Sequence, residues 1–255
     1  MLRQYMLDAM HGVLGAKPGI AVLHSSISIL LPPPEFEKSD ALGALDALVK
    51  EGWTLALPAF TFSFCKSGRY HHARTKSEVG NLANWALSEL DYAKRTPHPI
   101  YSFVVLGAQS ERIAACDAET VFGRGSAFEL FENEDATLMM LGCGWEFCTQ
   151  FHRYEELAGV PYRFNKDFSG RADFDDGRGE HDVVARMYVR DLVIDPVNDF
   201  TPAVETLRSN GKIKTAPLWR GEVESVRTQE LAKVCLAQLR ENPLAFVAPR
   251  AAGVP

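Results

Sequence analysis

Four short, largely apolar runs set the frame: Ile20-Ala-Val-Leu23, Thr54-Leu-Ala-Leu57, Tyr101 to Leu106, and Ala136 to Leu141. Strands apolar on both alternating sets of positions are covered on both faces, and strands that alternate with helical periodicity build βαβ units. The alternation predicts an α/β fold in three layers, α/β/α, around a mixed, mostly parallel central sheet. Helices are expected over Met1–Leu14 (stopped by Gly15 and Pro18-Gly19), from Ser39 or Asp40 as cap through Val49, and over Glu78–Leu90 with Ser77 as cap. Further helices are expected at Thr149–Ala158, at Thr201–Ser209 behind an Asp199 cap, and at Thr228–Arg240. Phe168–Asp182, rich in Gly and Asp, reads as a loop or hairpin, with strands over Val184–Val193 and Lys212–Leu218. No linker interrupts the pattern, so residues 1–255 are expected to form a single domain, with a loosely ordered tail from Pro243.

Composition narrows the function classes. A chain of 255 residues can bury a substantial core without staples, and 46% hydrophobic with 24% charged residues is the balance of a soluble globular protein. The five cysteines are odd in number and scattered, which argues against a disulfide framework and for a reducing compartment. Arg3, Asp8, His11 and Lys17 break the apolar character of the N-terminus, and no window has the run needed for a signal or a membrane span. A cytoplasmic protein without a membrane partner is expected. The net charge of −6 disfavours nucleic acid, whose phosphates select basic surfaces.

Three constellations can carry chemistry. His24-Ser25-Ser26 follows the first apolar run, and the carboxyl ends of strands in open α/β sheets are where ligands bind. These residues either offer donors to a ligand or close a turn on their own backbone. Phe122-Gly-Arg-Gly-Ser-Ala-Phe128 lacks a dinucleotide fingerprint, and no P-loop occurs; Gly125 and Ser126 either cradle a phosphate or simply open a helix. On the third, Thr149-Gln-Phe-His152-Arg-Tyr-Glu155-Glu156, helical spacing brings His152 to Glu155 or Glu156. A carboxylate beside an imidazole fixes its tautomer and raises its basicity, as a general base requires; a plain surface ion pair has the same spacing. No complete metal site is expected, because position 156 is Glu where a zinc motif needs a second His. Cys143 and Cys148 read as buried thiols, His71-His72 as a solvated pair, and His98 as part of a stiff wall between Pro97 and Pro99.

Seven blocks, in order, resemble the aminoglycoside 3-N-acetyltransferase (antibiotic N-acetyltransferase) family. They are Leu23–Ser28, Leu57–Thr61, Thr75–Gly80, Arg95–Ser102, Phe122–Phe128, Leu141–Gly144 and His152-Arg-Tyr-Glu-Glu-Leu-Ala-Gly-Val-Pro-Tyr-Arg163. The resemblance is strong over about residues 20–165. It implies the antibiotic N-acetyltransferase fold, not the GNAT fold, and acetyl transfer from acetyl-CoA, as cosubstrate, to a primary amine of an amino sugar or aminoglycoside. It further implies His152 as base, with Glu155 (narrowly favoured) or Glu156 orienting it. His24, Ser25, Ser26, Gly125 and Ser126 are implied on the CoA side, with pantetheine running toward Ser102 and Phe103. Thr61, Thr75, His98 and Tyr101 are implied on the acceptor side.

One departure bears on the acceptor. The drug-modifying enzymes read H-P-x-H-S where this chain has His98-Pro-Ile-Tyr-Ser102, so Tyr101 replaces a second imidazole. This favours an amino sugar of carbohydrate biosynthesis over a resistance substrate. A hydrolase built on His152 with Ser25 or Ser26, and a non-catalytic CoA- or carbohydrate-binding relative, are the remaining readings.

Overall fold

The computed structural model describes residues 1–116 and 120–248. In chain order the first elements are α1 (Leu2–Val13), β1 (Ile20–Ser25), α2 (Lys38–Lys50), β2 (Thr54–Pro58), α3 (Phe64–Ser67), β3 (Arg69–His71), α4 (Leu82–Glu89), β4 (Lys94–Arg95), β5 (Phe103–Leu106) and α5 (Ser110–Ala114). There follow α6 (Ala127–Asn133), β6 (Thr137–Leu141), α7 (Phe151–Ala158), β7 (Arg163–Asp173), β8 (His181–Arg190), α8 (Thr201–Ser209), β9 (Lys214–Leu218), β10 (Gly221–Arg227) and α9 (Thr228–Glu241).

The central sheet has the order β4-β5-β2-β1-β6-β10-β9. β1 pairs in parallel with β2 and β6, while the outer pairs are antiparallel. Five of the 7 strands (β1, β2, β4, β6 and β9) therefore point the same way, giving a mixed, mostly parallel sheet. Successive side chains alternate between faces. Ile20 and Val22 enter one apolar cluster with α6, α7, α8 and α9; Ala21 and Leu23 enter another with α1, α2 and α4. The expected three layers result. No helix among the described residues is long and apolar enough to cross a membrane.

Several boundaries differ from expectation for local reasons. α2 is capped by Glu37, whose side chain and that of Asp40 exchange backbone hydrogen bonds in a capping box. The helix expected from Glu78 starts at Leu82 instead. Asn84 holds Ser77 through both its amide groups, the Glu78 N–H donates to the Phe60 carbonyl, and Gly80 sits at φ +87°. These contacts keep 77–80 out of the helix. Phe168–Asp182 spans the turn of a long β7–β8 hairpin that pairs with β3 as a second sheet. β10 lies outside the sequence expectation, because Glu222, Glu224 and Arg227 interrupt its apolar pattern; Glu224 is buried there by pairing with Arg208 and Trp145. Over its described part, the segment expected as a loose tail makes tertiary contacts. Phe246 is buried against Phe151 and Phe200, and the Ala248 N–H donates to the Val197 carbonyl. Residues 249–255 lie outside the described residues.

Candidate active site

The carboxyl ends of β1 and β2 open into a cleft of about 480 Å³. β1 delivers His24 and Ser25 to its floor and Ser26 follows, as sheet topology favours. Beside β1, β6 ends at Leu141, and Gly142 (φ +68°) turns the chain into Cys143, which lines the cleft. A single helical turn, Trp145–Phe147, precedes α7, and the Trp145 indole N–H donates to Glu224 on β10 (2.7 Å). That anchor presents Glu146 and Phe147 to the cleft and starts α7 at its edge, so His152 faces it from the first turn. The opposite wall is the 77–80 segment, with Glu78 and Gly80. Glu78 is held there by the Ser63 N–H, which donates to its carboxylate (3.0 Å).

His152 Nδ1 lies 2.5 Å from Glu155 Oε2; the imidazole is 17% exposed and the carboxylate not at all. An ionised carboxylate only accepts, so Nδ1 carries the proton and Nε2 keeps its lone pair. The other carboxylate oxygen accepts from the Tyr162 hydroxyl (2.8 Å), and Arg163 Nε lies 2.9 Å from Oε2 as an ion pair. Burial pushes the Glu155 pKa up, but His152, Arg163 and Tyr162 outweigh it and hold the carboxyl below its usual range. Burial, with Arg163 adding to it, pushes the His152 pKa down against the pull of Glu155. The net direction favours the neutral imidazole. Phe122 and Phe200 edge its ring.

The chain matches the family model described as aminoglycoside 3-N-acetyltransferase over residues 22–240. It belongs to the aminoglycoside 3-N-acetyltransferase family. Aminoglycoside N(3)-acetyltransferase IV of Salmonella sp. is 24% identical over 250 residues, covering 94% of this chain and 88% of the relative. Among solved structures, aminoglycoside acetyltransferase AAC(3)-IIb superimposes with a TM-score of 0.80 at 20% identity, covering 97% of this chain and 98% of that one. AAC-IIIb, solved as a binary complex with CoASH, gives 0.80 at 17% identity, covering 98% and 99%. Members of the family are acyltransferases, and the fold is theirs rather than that of GNAT enzymes.

Of the residues that the family resemblance assigned, His24, Ser25, Ser26, Tyr101 and His152 line the cleft. Tyr101 stands in an aromatic wall, its ring 4.8 Å from Phe60 and 5.5 Å from Phe62. Several others do not reach the cleft. Ser102 is fully buried, donating to the Ala59 carbonyl and accepting from Arg95 Nε, and Phe103 is core. Thr61 is fully buried and donates to the Pro99 carbonyl, while Thr75 accepts from the His71 N–H. His98 lies behind Tyr101, where its Nδ1 accepts from the Ile100 and Tyr101 N–H groups.

The Gly125-Ser126 turn lies outside the cleft and opens α6, with the Gly125 and Ser126 N–H groups bonded within the turn and helix. Gly125 N–H donates to the Glu129 carboxylate and Ser126 Oγ accepts from the Glu129 N–H, an arrangement that caps the start of α6. Glu156 turns away from the cleft and accepts from Asn165. His71 and His72 are partly buried rather than solvated. Cys148 is buried as expected, whereas Cys143 is only half-buried because it lines the cleft. Outside the cleft, His71, Asp173 and Asp175 bring ligand-type atoms within 4.8 Å of one another. Glu78 and Glu146 escaped the sequence reading; the signal available for Glu78 was its place in the Thr75–Gly80 block.

Proposed function

We propose that this family member catalyses acetyl transfer from acetyl-CoA to a primary amine of an amino sugar. The observation that carries the reading is the buried Glu155 gripping Nδ1 of an imidazole that faces the cleft. His152 Nε2 is the ring nitrogen left to take the proton that an ammonium must lose before it attacks, and Glu155 stabilises the imidazolium that results. Acetyl-CoA supplies the thioester carbonyl. His24, Ser25 and Ser26 at the end of β1 offer a buried imidazole and two hydroxyls for the cosubstrate. A relative of the same fold was solved with CoASH bound, which supports this cosubstrate.

The acceptor is a protonated amine in water, and the carboxylates of Glu78 and Glu146 suit its charge. Two carboxylates beside the Phe60-Phe62-Tyr101 wall fit a sugar ring with one or two amines better than a polycation. The resemblance to enzymes whose structures hold a gentamicin and apramycin keeps aminoglycosides within the acceptor class. The experiment is turnover of acetyl-CoA with a panel of amino sugars and aminoglycosides, following free thiol. Amine-dependent thiol release, faster with a simple amino sugar than with a kanamycin- or gentamicin-like drug, is expected. No amine-dependent release across the panel sinks the acetyl transfer reading. A kcat/KM above about 10⁴ M⁻¹s⁻¹ for a drug, at the low end of ordinary enzymes, overturns the acceptor assignment.

A further inference from the structure

Glu155 is fully buried, and one of its oxygens serves two partners: Oε2 is 2.5 Å from His152 Nδ1 and 2.9 Å from Arg163 Nε. A buried carboxylate needs a compensating cation. Either a protonated His152 or Arg163 can be that cation, and the choice decides whether the imidazole is free to accept a proton. An arginine guanidinium is a permanent cation in proteins, whereas an imidazole is not. Its side chain is 6% exposed and its Nη2 donates to Asn198 Oδ1 (2.8 Å), which fixes the far end of the guanidinium.

We infer that Arg163 is a positioning residue that keeps His152 a neutral base by taking up the charge of Glu155. With Arg163 present, the trio is electrically balanced while the imidazole is neutral, and protonating it adds an unbalanced buried charge. Without Arg163, balance is reached by protonating His152, so the imidazole holds its proton to higher pH and the acid limb of the reaction moves up with it. The direction of the His152 shift, in which Arg163 acts with burial against Glu155, agrees.

The other groups facing this pair do not supply the cation. Tyr162, just ahead of β7, donates to Glu155 as a neutral hydroxyl, and Tyr188 on β8 and Cys235 on α9 are both pushed up, remaining uncharged. On the cleft side His152 shares the cavity with His24, Tyr101 and Cys143, and with the carboxylates of Glu78 and Glu146. His24 is held neutral by burial, and Cys143 is pushed up to about 12. Glu156, next to Glu155 on α7, is engaged by Asn165.

This inference rests on His152 as the base, so the test reads the imidazole and the reaction separately. The His152 ring is titrated by nitrogen NMR on histidine-labelled protein, its signal assigned by loss in His152→Ala. The same titration is run on Arg163→Met, Arg163→Gln and Arg163→Lys, alongside the pH dependence of kcat/KM. In Arg163→Met the His152 pKa is expected to rise by roughly one unit, the scale of a charge lost at this distance. Arg163→Lys, which keeps the charge, is expected to restore most of the parent value. The acid limb of kcat/KM should move with the imidazole. Arg163→Gln carries the same reading if the Met variant does not fold. An unchanged His152 pKa in the folded neutral variants, or an equal shift in Met and Lys variants, overturns the inference. A His152 shift that leaves the activity limb in place supports Arg163 as the tuner and sinks His152 as the base.

Discussion

His152 and Glu155 meet within one turn of α7, Nδ1 to Oε2 at 2.5 Å, across the boundary between cleft and core. The largely buried imidazole edges the cleft, and the carboxylate behind it is fully buried. That division lets one residue exchange protons while the other stays ionised and fixed.

Removal of the imidazole tests the assignment most directly. General-base assistance contributes about 10²- to 10⁴-fold, so His152→Ala is expected to lower kcat by that order with little change in KM for acetyl-CoA. Steady-state kinetics on a variant whose thermal melt matches the parent checks it. Turnover within threefold of the parent removes His152 from the reaction.

The two adjacent carboxylates should separate cleanly. Glu155→Gln loses the charge that both His152 and Arg163 face, and should cost most of the His152 effect. It should also destabilise the fold by on the order of 3 kcal/mol, since breaking a buried pair strands the other charge. Glu156→Gln should stay near the parent in both respects, since its contact is with Asn165 on β7. Paired kinetics and urea melts decide, and equal effects in the two variants contradict the geometry.

Acid should weaken the fold through His24 and His98. Burial pushes both down to about 4 from 6.5. A depressed His binds its proton more readily in the unfolded chain, so this stability is fully present above about 6.5 and is lost as pH falls toward 4. His98 accepts two backbone N–H groups at Nδ1, which its protonated form cannot do. Urea melts between pH 7.5 and 4.5 should therefore lose midpoint with acid, and less steeply in His98→Gln. Parallel slopes for parent and variant rule His98 out as a source.

The turn before α6 should behave as a cap and not as a cofactor loop. Ser126→Ala is expected to cost about 1 kcal/mol of stability, and Gly125→Val to cost stability because its φ is +82°. Acetyl-CoA affinity by calorimetry should be unchanged in the folded variants. A selective loss of CoA binding at full stability would falsify this placement and return Gly125 to the cosubstrate.

Sequence by itself determined the three layers, because strands covered on both faces are apolar throughout, as Ile20–Leu23 and Leu138–Leu141 are, and such runs alternate here with helical periodicity. It also determined that His152 meets a carboxylate, since three- and four-residue spacings share a helix face. Tertiary structure decided which carboxylate. Glu155 and Glu156 are equivalent by spacing; Tyr162 and Arg163, brought back at the start of β7, single out Glu155. Folding likewise decided which family-assigned polar residues reach the cleft. Ser102, Thr61 and His98 are polar in sequence, but each is consumed by a backbone or side-chain partner from a distant or turning segment. Glu78 gained its place because Asn84 and Gly80 hold its segment out of α4. Hydrogen-bond partners distant along the chain are invisible to local pattern, and they determine whether a polar side chain serves the fold or faces a ligand.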